Sequence, residues 1–448
     1  MSTRRLVSAS IANLLIPVSG LVISPFLSRE LGPDGRGLYA ALTLPIVVFG
    51  WVGTFGLQDA LSFHLRGDKL SRRDAIRVNL LAMVPLGLVG IACMALLGLF
   101  VFHGQPDHYR QFFLLALFAP VHIVANLLIG SLTGSSDLRG VNLVKVVPAL
   151  GRTALVVFAC VAFDVSPFGA GLLFMVTTVP GVLVGFARLR PPGPPRQPDQ
   201  PRQEVEARIP TRSLVTYSLA CLPGVLAAVS SARLDQIIGL PVIGAAQLGY
   251  YAVAVSVAEI PMVIATAART LLLGRSISDD PVAATRIARL AVVVSVVACG
   301  FLAVVASFAV PFVFGDRFEP SVAPTVILCL ATVFYTGMVI LTAVLLAHGS
   351  AAWSSAALVI GSLAGVGLLF AFARWGANGA AFASLAGYGV SLALACWPVW
   401  KGRTPYTLRM LSLPYREDIA LVRARLARIV TGRSDRPLAV SASVGSDS

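Results

Sequence analysis

The chain has 448 residues, of which 56% are hydrophobic and only 12% are charged, and its mean hydropathy is +0.82. Because about a quarter of the residues of a soluble domain are charged, this composition excludes an ordinary soluble protein and indicates an integral membrane protein. The formal net charge of +14 is therefore first a signal of membrane topology. A membrane-crossing helix uses about 20 residues, so little chain is left for an external catalytic domain, and we expect no enzymatic activity.

Twelve apolar runs are long enough to cross a membrane as helices, which predicts an all-α fold. They lie at 6–27, 38–62, 78–102, 112–133, 141–163, 166–187, 213–240, 249–268, 290–312, 321–347, 353–373 and 377–400. Of the 35 Lys and Arg residues, 27 fall on the side of the two termini and five on the other side, among them Arg29 and Arg36 in the loop after the first run. The positive-inside rule then predicts a multi-pass cell-membrane protein with both termini in the cytoplasm.

Two polar segments divide the chain. Residues 188–212 contain seven prolines and six arginines, which predicts an extended cytoplasmic linker between a six-helix lobe at 1–187 and another at 213–400. The basic tail at 401–448 has apolar residues at helical spacing over 414–430, which fits an interfacial helix on anionic lipid or a solvated tail. The tail would bind membrane lipids or glycan-assembly proteins.

The two halves resemble each other at an offset of about 212 residues, which indicates an internal repeat. The matches are Gly37-Leu38-Tyr39 with Gly249-Tyr250-Tyr251, Arg77 with Arg289, Val101-Phe102 with Val313-Phe314, and, at an offset of 210, Gly169-Ala170 with Gly379-Ala380. Because each half has an even number of spans, we expect two lobes related by a pseudo-two-fold axis along the membrane normal. Rocking of such lobes would expose a central cavity alternately to each side.

Five ionisable side chains fall at membrane depth: Lys145, Arg152, Arg233, Asp235 and Glu259. Each costs about 2.5–3.5 kcal/mol there on insertion scales, so each should face a watery cavity or a partner. Lys145 and Arg152 lie two helical turns apart on one face, where they form a cationic stripe unless Lys145 snorkels to the headgroups. Three cations against two anions favour an anionic substrate group such as a phosphate or pyrophosphate.

The two carboxylates have competing interpretations. Asp235 pairs with Arg233 or serves in coupling; the repeat places it opposite Ile23. Glu259 precedes Pro261 and either takes up a coupling ion, H+ or Na+, or makes an interhelical hydrogen bond.

The first span carries a small, polar face that lines a cavity or packs against another helix. Its members are Ser10, Asn13, Pro17, Gly20 and Ser24. Asn13 is a candidate substrate contact, and Pro17 would bend the helix near its middle as a gate does. The five histidines and six cysteines have no metal-ligand spacing, so we expect no metal and no cofactor.

Several of these segments resemble a known family. They are Leu31-Gly32-Pro33-Asp34-Gly35-Arg36-Gly37-Leu38-Tyr39, Phe55-Gly56-Leu57-Gln58-Asp59-Ala60, Leu234-Asp235-Gln236-Ile237-Ile238 and Leu248-Gly249-Tyr250-Tyr251. They resemble bacterial polysaccharide-export flippases, the oligosaccharide flippases of the multidrug/oligosaccharidyl-lipid/polysaccharide exporter superfamily. The resemblance covers residues 1 to about 400.

The resemblance implies that the chain moves an undecaprenyl-pyrophosphate-linked oligosaccharide from the cytoplasmic to the outer leaflet. A cation-lined cavity would hold the pyrophosphate, with Lys145, Arg152 and Arg233 as anion contacts and Asp235 and Glu259 in coupling or gating. A drug/cation antiporter of the same superfamily is the alternative and should have an acidic cavity. A lipid II flippase, which usually has fourteen spans, a glycan polymerase or ligase, which needs larger outer loops, and a scaffold for glycan assembly are weaker alternatives. No nucleic-acid partner is expected.

Overall fold

The computed structural model describes residues 3–67, 70–190, 211–274, 281–402 and 406–407, without the side chains of 3–14, 16–17, 227–233, 274, 281 and 283. All regular structure in these residues is helical, as the sequence predicts. The first half contains α1 (Thr3–Val52), α2 (Leu57–Arg66), α3 (Arg72–Val101), α4 (Pro106–Ala116), α5 (Ala119–Gly134), α6 (Leu138–Ala162), α7 (Pro167–Val176) and α8 (Thr178–Leu189). The second half contains α9 (Thr211–Ile237), α10 (Gly239–Ile243), α11 (Ala245–Gly274), α12 (Pro281–Phe314), α13 (Val322–Ala347), α14 (Ala351–Ala371) and α15 (Gly376–Trp400).

Helix α1 combines the first predicted span with most of the second, because the turn between them is a single bend at Gly32. Gly32 has φ 64° and ψ −177°, a conformation that suits glycine. Pro33 follows at the start of the second arm, a position where the missing N–H of proline is harmless. The predicted loop containing Arg36 is therefore wrong, because Arg36 lies within the helix.

Several predicted spans are divided in the structure. The run at 38–62 breaks at residues 53–56, where Phe55 and Gly56 have φ values of 48° and 79°, and resumes as α2. The runs at 112–133, 166–187 and 213–240 are likewise pairs of helices, α4–α5, α7–α8 and α9–α10. Short interruptions of this kind do not change the hydropathy of a run, so the sequence pattern does not reveal them.

Ten helical stretches among the described residues are long and apolar enough to cross a membrane, and the first of them, Val18–Arg66, includes the bend at Gly32. Their outer faces carry large apolar side chains, such as Leu81, Val304 and Phe308, which are 70–81% exposed. Such faces belong in contact with lipid. Twelve spans, the pseudo-two-fold axis and the lobe boundaries stay predictions, and the linker at 191–210 and the tail from 408 onward lie outside the described residues.

The bundle has two ends, which we name by the chain termini. The terminal end contains the start of α1, the end of α15 and the contact between Arg72 Nη2 and the carbonyl of Ser135. The opposite end contains Gly32, the end of α12 and the start of α11. There Arg29 donates from Nε to the carbonyl of Val313 (3.0 Å) and from Nη2 to that of Phe312 (2.6 Å), which ties α1 to α12.

The two halves of the chain touch at both ends. At the opposite end, a Cβ added to Gly37 would overlap the carbonyl oxygen of Ala245, and one added to Gly249 would overlap that of Pro33. At the terminal end, the ring of Phe63 in α2 stacks on that of Tyr217 in α9 at 4.4 Å, and His64 contacts Ser213. A cavity lies between these contacts.

Candidate functional site

A cavity with a volume of about 510 Å³ lies between the two halves. Helices α1, α6 and α7 supply one side of its wall, and α9, α11, α13 and α15 supply the other. Gly20 and Ser24, which belong to the small polar face of the first span, are part of the lining. A solvent-accessible cavity at this depth is where charged side chains are tolerated in a membrane protein.

Arg36 is the buried cation of the α1 side of the cavity. Only 8% of its surface is exposed, its guanidinium carbon lies 5.3 Å from the centroid of the Tyr39 ring, and Nη2 donates to Ser24 Oγ at 3.4 Å. Nε is buried and makes no hydrogen bond within the described part of the chain. Arg36 lines the cavity, where its guanidinium suits an anion because the group matches phosphate and carboxylate oxygens in shape and charge.

Arg152 in α6 provides a second guanidinium group. Its guanidinium carbon lies 3.4 Å above the centroid of the Phe174 ring from α7, a cation–π contact that fixes the plane of the group. Its Nε is also buried without a hydrogen bond among the described residues. Both arginines line the same cavity, so the first half of the chain supplies a cationic wall.

Glu259 in α11 is the carboxylate of the lining, and it lies close enough to Arg36 for their charges to interact. Two guanidinium groups and one carboxylate leave the described lining with one excess positive charge. Ser24 donates to Ser256 of α11 at 3.3 Å, which connects the arginine-bearing helix to the second half of the chain. The cavity therefore has the sign that attracts an anionic group.

The second half of the chain contributes aromatic side chains. The rings of Tyr335 in α13 and Tyr388 in α15 pack edge to face, with their centroids 5.3 Å apart, and both line the cavity. This wall is aromatic where the facing wall is cationic.

Asp235 lies outside the large cavity, in a smaller one of about 30 Å³ that residues of helices α9, α14 and α15 line. Its Oδ2 accepts hydrogen bonds from the hydroxyls of Tyr251 and Ser384, the latter at 2.9 Å. Its Oδ1 accepts from the backbone N–H of Gln236 at 2.8 Å. The structure thus gives Asp235 three hydrogen-bond partners that the sequence did not suggest.

The structure brings together only part of the predicted set. Arg152 and Glu259 share the large cavity, Asp235 lies in the small one, and Lys145, two turns before Arg152, lines neither. The side chains of Asn13, Pro17 and Arg233 lie outside the described residues, so a pair between Arg233 and Asp235 stays a prediction.

Arg36 is the functional candidate that the sequence analysis missed. It was counted with the loop cations because glycine and proline surround it in the segment from Gly32 to Gly37. The repeat does not reveal it either, because its counterpart Leu248 also lies just before a predicted span, the one that begins at Gly249.

Helical halves around a cavity with charged side chains in its lining are the arrangement expected of a multi-pass membrane transporter or flippase. A family profile described as polysaccharide biosynthesis protein matches residues 2–273. The chain belongs to this family, which confirms the resemblance found in its sequence. Comparison with curated proteins finds no match.

Solved structures share the fold at low sequence identity. An inward-facing multidrug resistance MATE family transporter of the MOP superfamily has a TM-score of 0.67 and 15% identity, over 88% of this chain and 97% of that one. The lipid II flippase MurJ, in an inward closed conformation, has a TM-score of 0.65 and 13% identity, over 96% and 93%. An outward-facing MATE structure has a TM-score of 0.58 and 15% identity, over 88% and 94%. The predicted all-α membrane-transporter fold is thereby confirmed.

Proposed function

We propose that the protein is a flippase that moves a polyprenyl-pyrophosphate-linked oligosaccharide from the cytoplasmic to the outer leaflet during the synthesis of a cell-surface polysaccharide. The observation that carries this proposal is the pair of arginines, Arg36 and Arg152, on one wall of the cavity between the halves. The family membership supports the same class of substrate pathway.

The pyrophosphate is the part of such a substrate that costs the most free energy to move across the membrane, because its charges must leave water. Two guanidinium groups in the cavity lining replace part of that hydration with charge-assisted hydrogen bonds. The oligosaccharide would occupy the rest of the cavity, and the lipid tail would stay in the bilayer. Alternating exposure of the cavity then carries the headgroup across.

The remaining predicted residues have subordinate roles in this proposal. Asp235 and Glu259 are the coupling or gating groups, with H+ or Na+ as the driving ion, and Pro17 is the predicted bend of a gating helix. Lys145, Arg233 and Asn13 are secondary substrate contacts. Since Lys145 lines neither cavity, its replacement should affect transport less than that of Arg152.

The drug/cation antiporter is the competing proposal, and Glu259 is the observation in its favour. A carboxylate in the cavity suits an organic cation, but two arginines in the same lining oppose it. Resistance to cationic drugs in a host without its own pumps, lost on Glu259→Gln, would favour the antiporter.

The test is a flipping assay with purified protein in liposomes that contain a fluorescent undecaprenyl-pyrophosphate-linked disaccharide. An impermeant quencher reports how much of the lipid has changed leaflet. Arg36→Gln and Arg152→Gln should each slow flipping at least about tenfold, because a hydrogen bond to a charged group contributes about 1.5–3 kcal/mol. Arg110→Gln, which removes the same charge from an exposed position at the opposite end, should flip normally. Wild-type rates in the Arg36 and Arg152 variants, at equal amounts of folded protein, would contradict the proposal.

A further inference from the structure

The large cavity and the small Asp235 cavity have one lining residue in common, and it is not one of the charged residues. Tyr388 lines both cavities, whereas Asp235 lines only the small one and Arg36, Arg152 and Glu259 line only the large one. The tyrosine ring is therefore the partition between the place proposed for the substrate and the carboxylate proposed for coupling.

The partition is attached to the Asp235 network through α15. Ser384, which donates to Asp235 Oδ2, precedes Tyr388 by four residues, so the two side chains lie on the same face of the helix. Tyr251 donates to the same carboxylate oxygen and contacts Ser384 Oγ at 2.8 Å. A shift of this part of α15 would therefore move both Tyr388 and the Ser384 hydroxyl that donates to Asp235.

On the other side of the small cavity, α14 packs closely against α15. Gly361 of α14 lies so near α15 that an added Cβ would overlap Ser391 Oγ and lie 2.6 Å from the carbonyl oxygen of Gly387. Helix α14 therefore cannot approach α15 any further.

The internal repeat shows that the network is not a packing feature common to both halves. The counterparts of Asp235, Tyr251 and Ser384, at offsets of 212 and 210, are Ile23, Tyr39 and Phe174. These three belong to one apolar cluster of the first half. The counterpart of Tyr388 is Thr178, which contacts His122 and does not line the large cavity. The two halves therefore differ: the first supplies Arg36 and Arg152, whereas the second supplies Asp235 with its hydrogen-bond partners.

We infer that Tyr388 is a positioning residue that couples occupancy of the large cavity to the state of Asp235. The inference rests on the proposed function, because it takes the large cavity as the substrate site. A headgroup that fills the cavity presses on the Tyr388 ring, and the shift reaches Asp235 through Ser384 and Tyr251. Apart from Asp235 itself, the titratable side chains described around the small cavity are Tyr251 from α11 and Tyr388 from α15, while α14 contributes glycine, serine and valine.

Tyr335 provides a matched control. It packs against Tyr388 edge to face and lines the large cavity, but it does not line the small one. Replacing either tyrosine by alanine removes the same ring from the same cavity wall. Only the Tyr388 replacement also opens the wall of the Asp235 cavity.

The experiment measures thermodynamic linkage with farnesyl pyrophosphate, a short polyprenyl pyrophosphate, as the probe. Its Kd for the purified full-length protein is determined at acidic and neutral pH, and with sodium or choline as the cation at constant ionic strength. Because linkage is reciprocal, a substrate site coupled to Asp235 changes its Kd by about fivefold or more between two of these conditions. Asp235→Asn should abolish the change.

The tyrosine variants then test the inference. Tyr388→Ala should bind the probe with the Kd change reduced to less than about twofold, while Tyr388→Phe, which keeps the ring, and Tyr335→Ala should retain the wild-type change. Thermal unfolding of each variant confirms that it is folded. A full Kd change in Tyr388→Ala, or its equal loss in Tyr335→Ala, would overturn the inference and leave the proposed function intact. Failure of the wild-type protein to bind the probe would refute the proposed function, and the inference would fall with it.

Discussion

The crossing of α1 and α11 at Gly37 and Gly249 provides the sharpest test of how the cavity is closed at the opposite end. A Cβ on Gly37 would overlap the carbonyl oxygen of Ala245 and lie 2.9 Å from both the carbonyl carbon of Ala245 and the backbone nitrogen of Gly249, where ordinary contact begins at 3.4 Å. A Cβ on Gly249 would overlap the carbonyl oxygen of Pro33 and lie 2.8 Å from its carbon. Backbone atoms cannot rotate away, so Gly37→Ala and Gly249→Ala must push the helices apart by about 1 Å.

Overpacking of this kind costs about 1–3 kcal/mol. The cost falls only on the arrangement in which the two helices touch, so it shifts the population towards arrangements that are open at this end, by about five- to 150-fold. Combining the two substitutions should shift the population less than the sum of the single effects, because one separation relieves both overlaps. Gly300→Ala is the matched control, since an added Cβ at this helical glycine meets nothing within 4 Å.

The assay is a distance measurement by electron paramagnetic resonance between spin labels on Arg110 and Glu319, which are exposed at the opposite end on different halves of the chain. The labels are placed in a background without the six native cysteines. Both glycine variants should increase the share of long distances, and Gly300→Ala should reproduce the wild-type distribution. Unchanged distributions in folded Gly37→Ala and Gly249→Ala proteins would refute the view that this crossing closes the cavity.

Three further predictions concern contacts around the bundle. Arg29→Gln removes the bonds to the carbonyls of Val313 and Phe312 and should open the same end by less than Gly37→Ala does, which the same labels measure. Gly361→Ala should lower thermal stability by about 1–3 kcal/mol through overlap with α15, whereas Gly389→Ala, where an added Cβ meets nothing within 4 Å, should not. Burial by itself would raise the pKa of Asp137, but the bonds from Arg188 and from the backbone N–H of Gly140 outweigh it and lower that pKa. A carboxyl with a depressed folded-state pKa stabilises the fold above its unfolded pKa and loses this effect as the pH falls through the folded one. Asp137→Asn keeps an N-cap acceptor but loses the ion pair with Arg188, so it should lower thermal stability by about 0.5 kcal/mol at neutral pH and by nothing in acid; an equal loss at both pH values would contradict this.

The sequence was a good guide to the elements that depend on hydropathy. Length and apolar runs located the membrane-crossing segments, and the family resemblance rested on short motifs such as the one from Leu31 to Tyr39. The divisions within spans escaped prediction, because a turn such as 53–56 sits inside an unbroken apolar run. Arg36 was assigned to a loop because Gly32 and Pro33 bend the helix there without ending it.

The candidate site shows the same difference between what hydropathy reveals and what depends on helix packing. The cost of burying charge in a membrane was enough to single out Arg152, Asp235 and Glu259 as side chains that need water or a partner. Which of them meet depends on how the helices rotate and cross, and hydropathy carries no information about rotation. Arg36 and Arg152, far apart in the chain, line one cavity, whereas Lys145, on the same helix as Arg152, does not.

What the sequence alone determined, then, is that this protein is a bundle of membrane helices with a few charges at membrane depth. The tertiary structure decided what those charges face: two arginines line a shared cavity, and Asp235 accepts hydrogen bonds from Tyr251 and Ser384 in the small cavity beside Tyr388. The physical reason is that apolar burial fixes which segments enter the membrane, while close packing between helices, such as that of Gly37 with Ala245, fixes which of their faces meet.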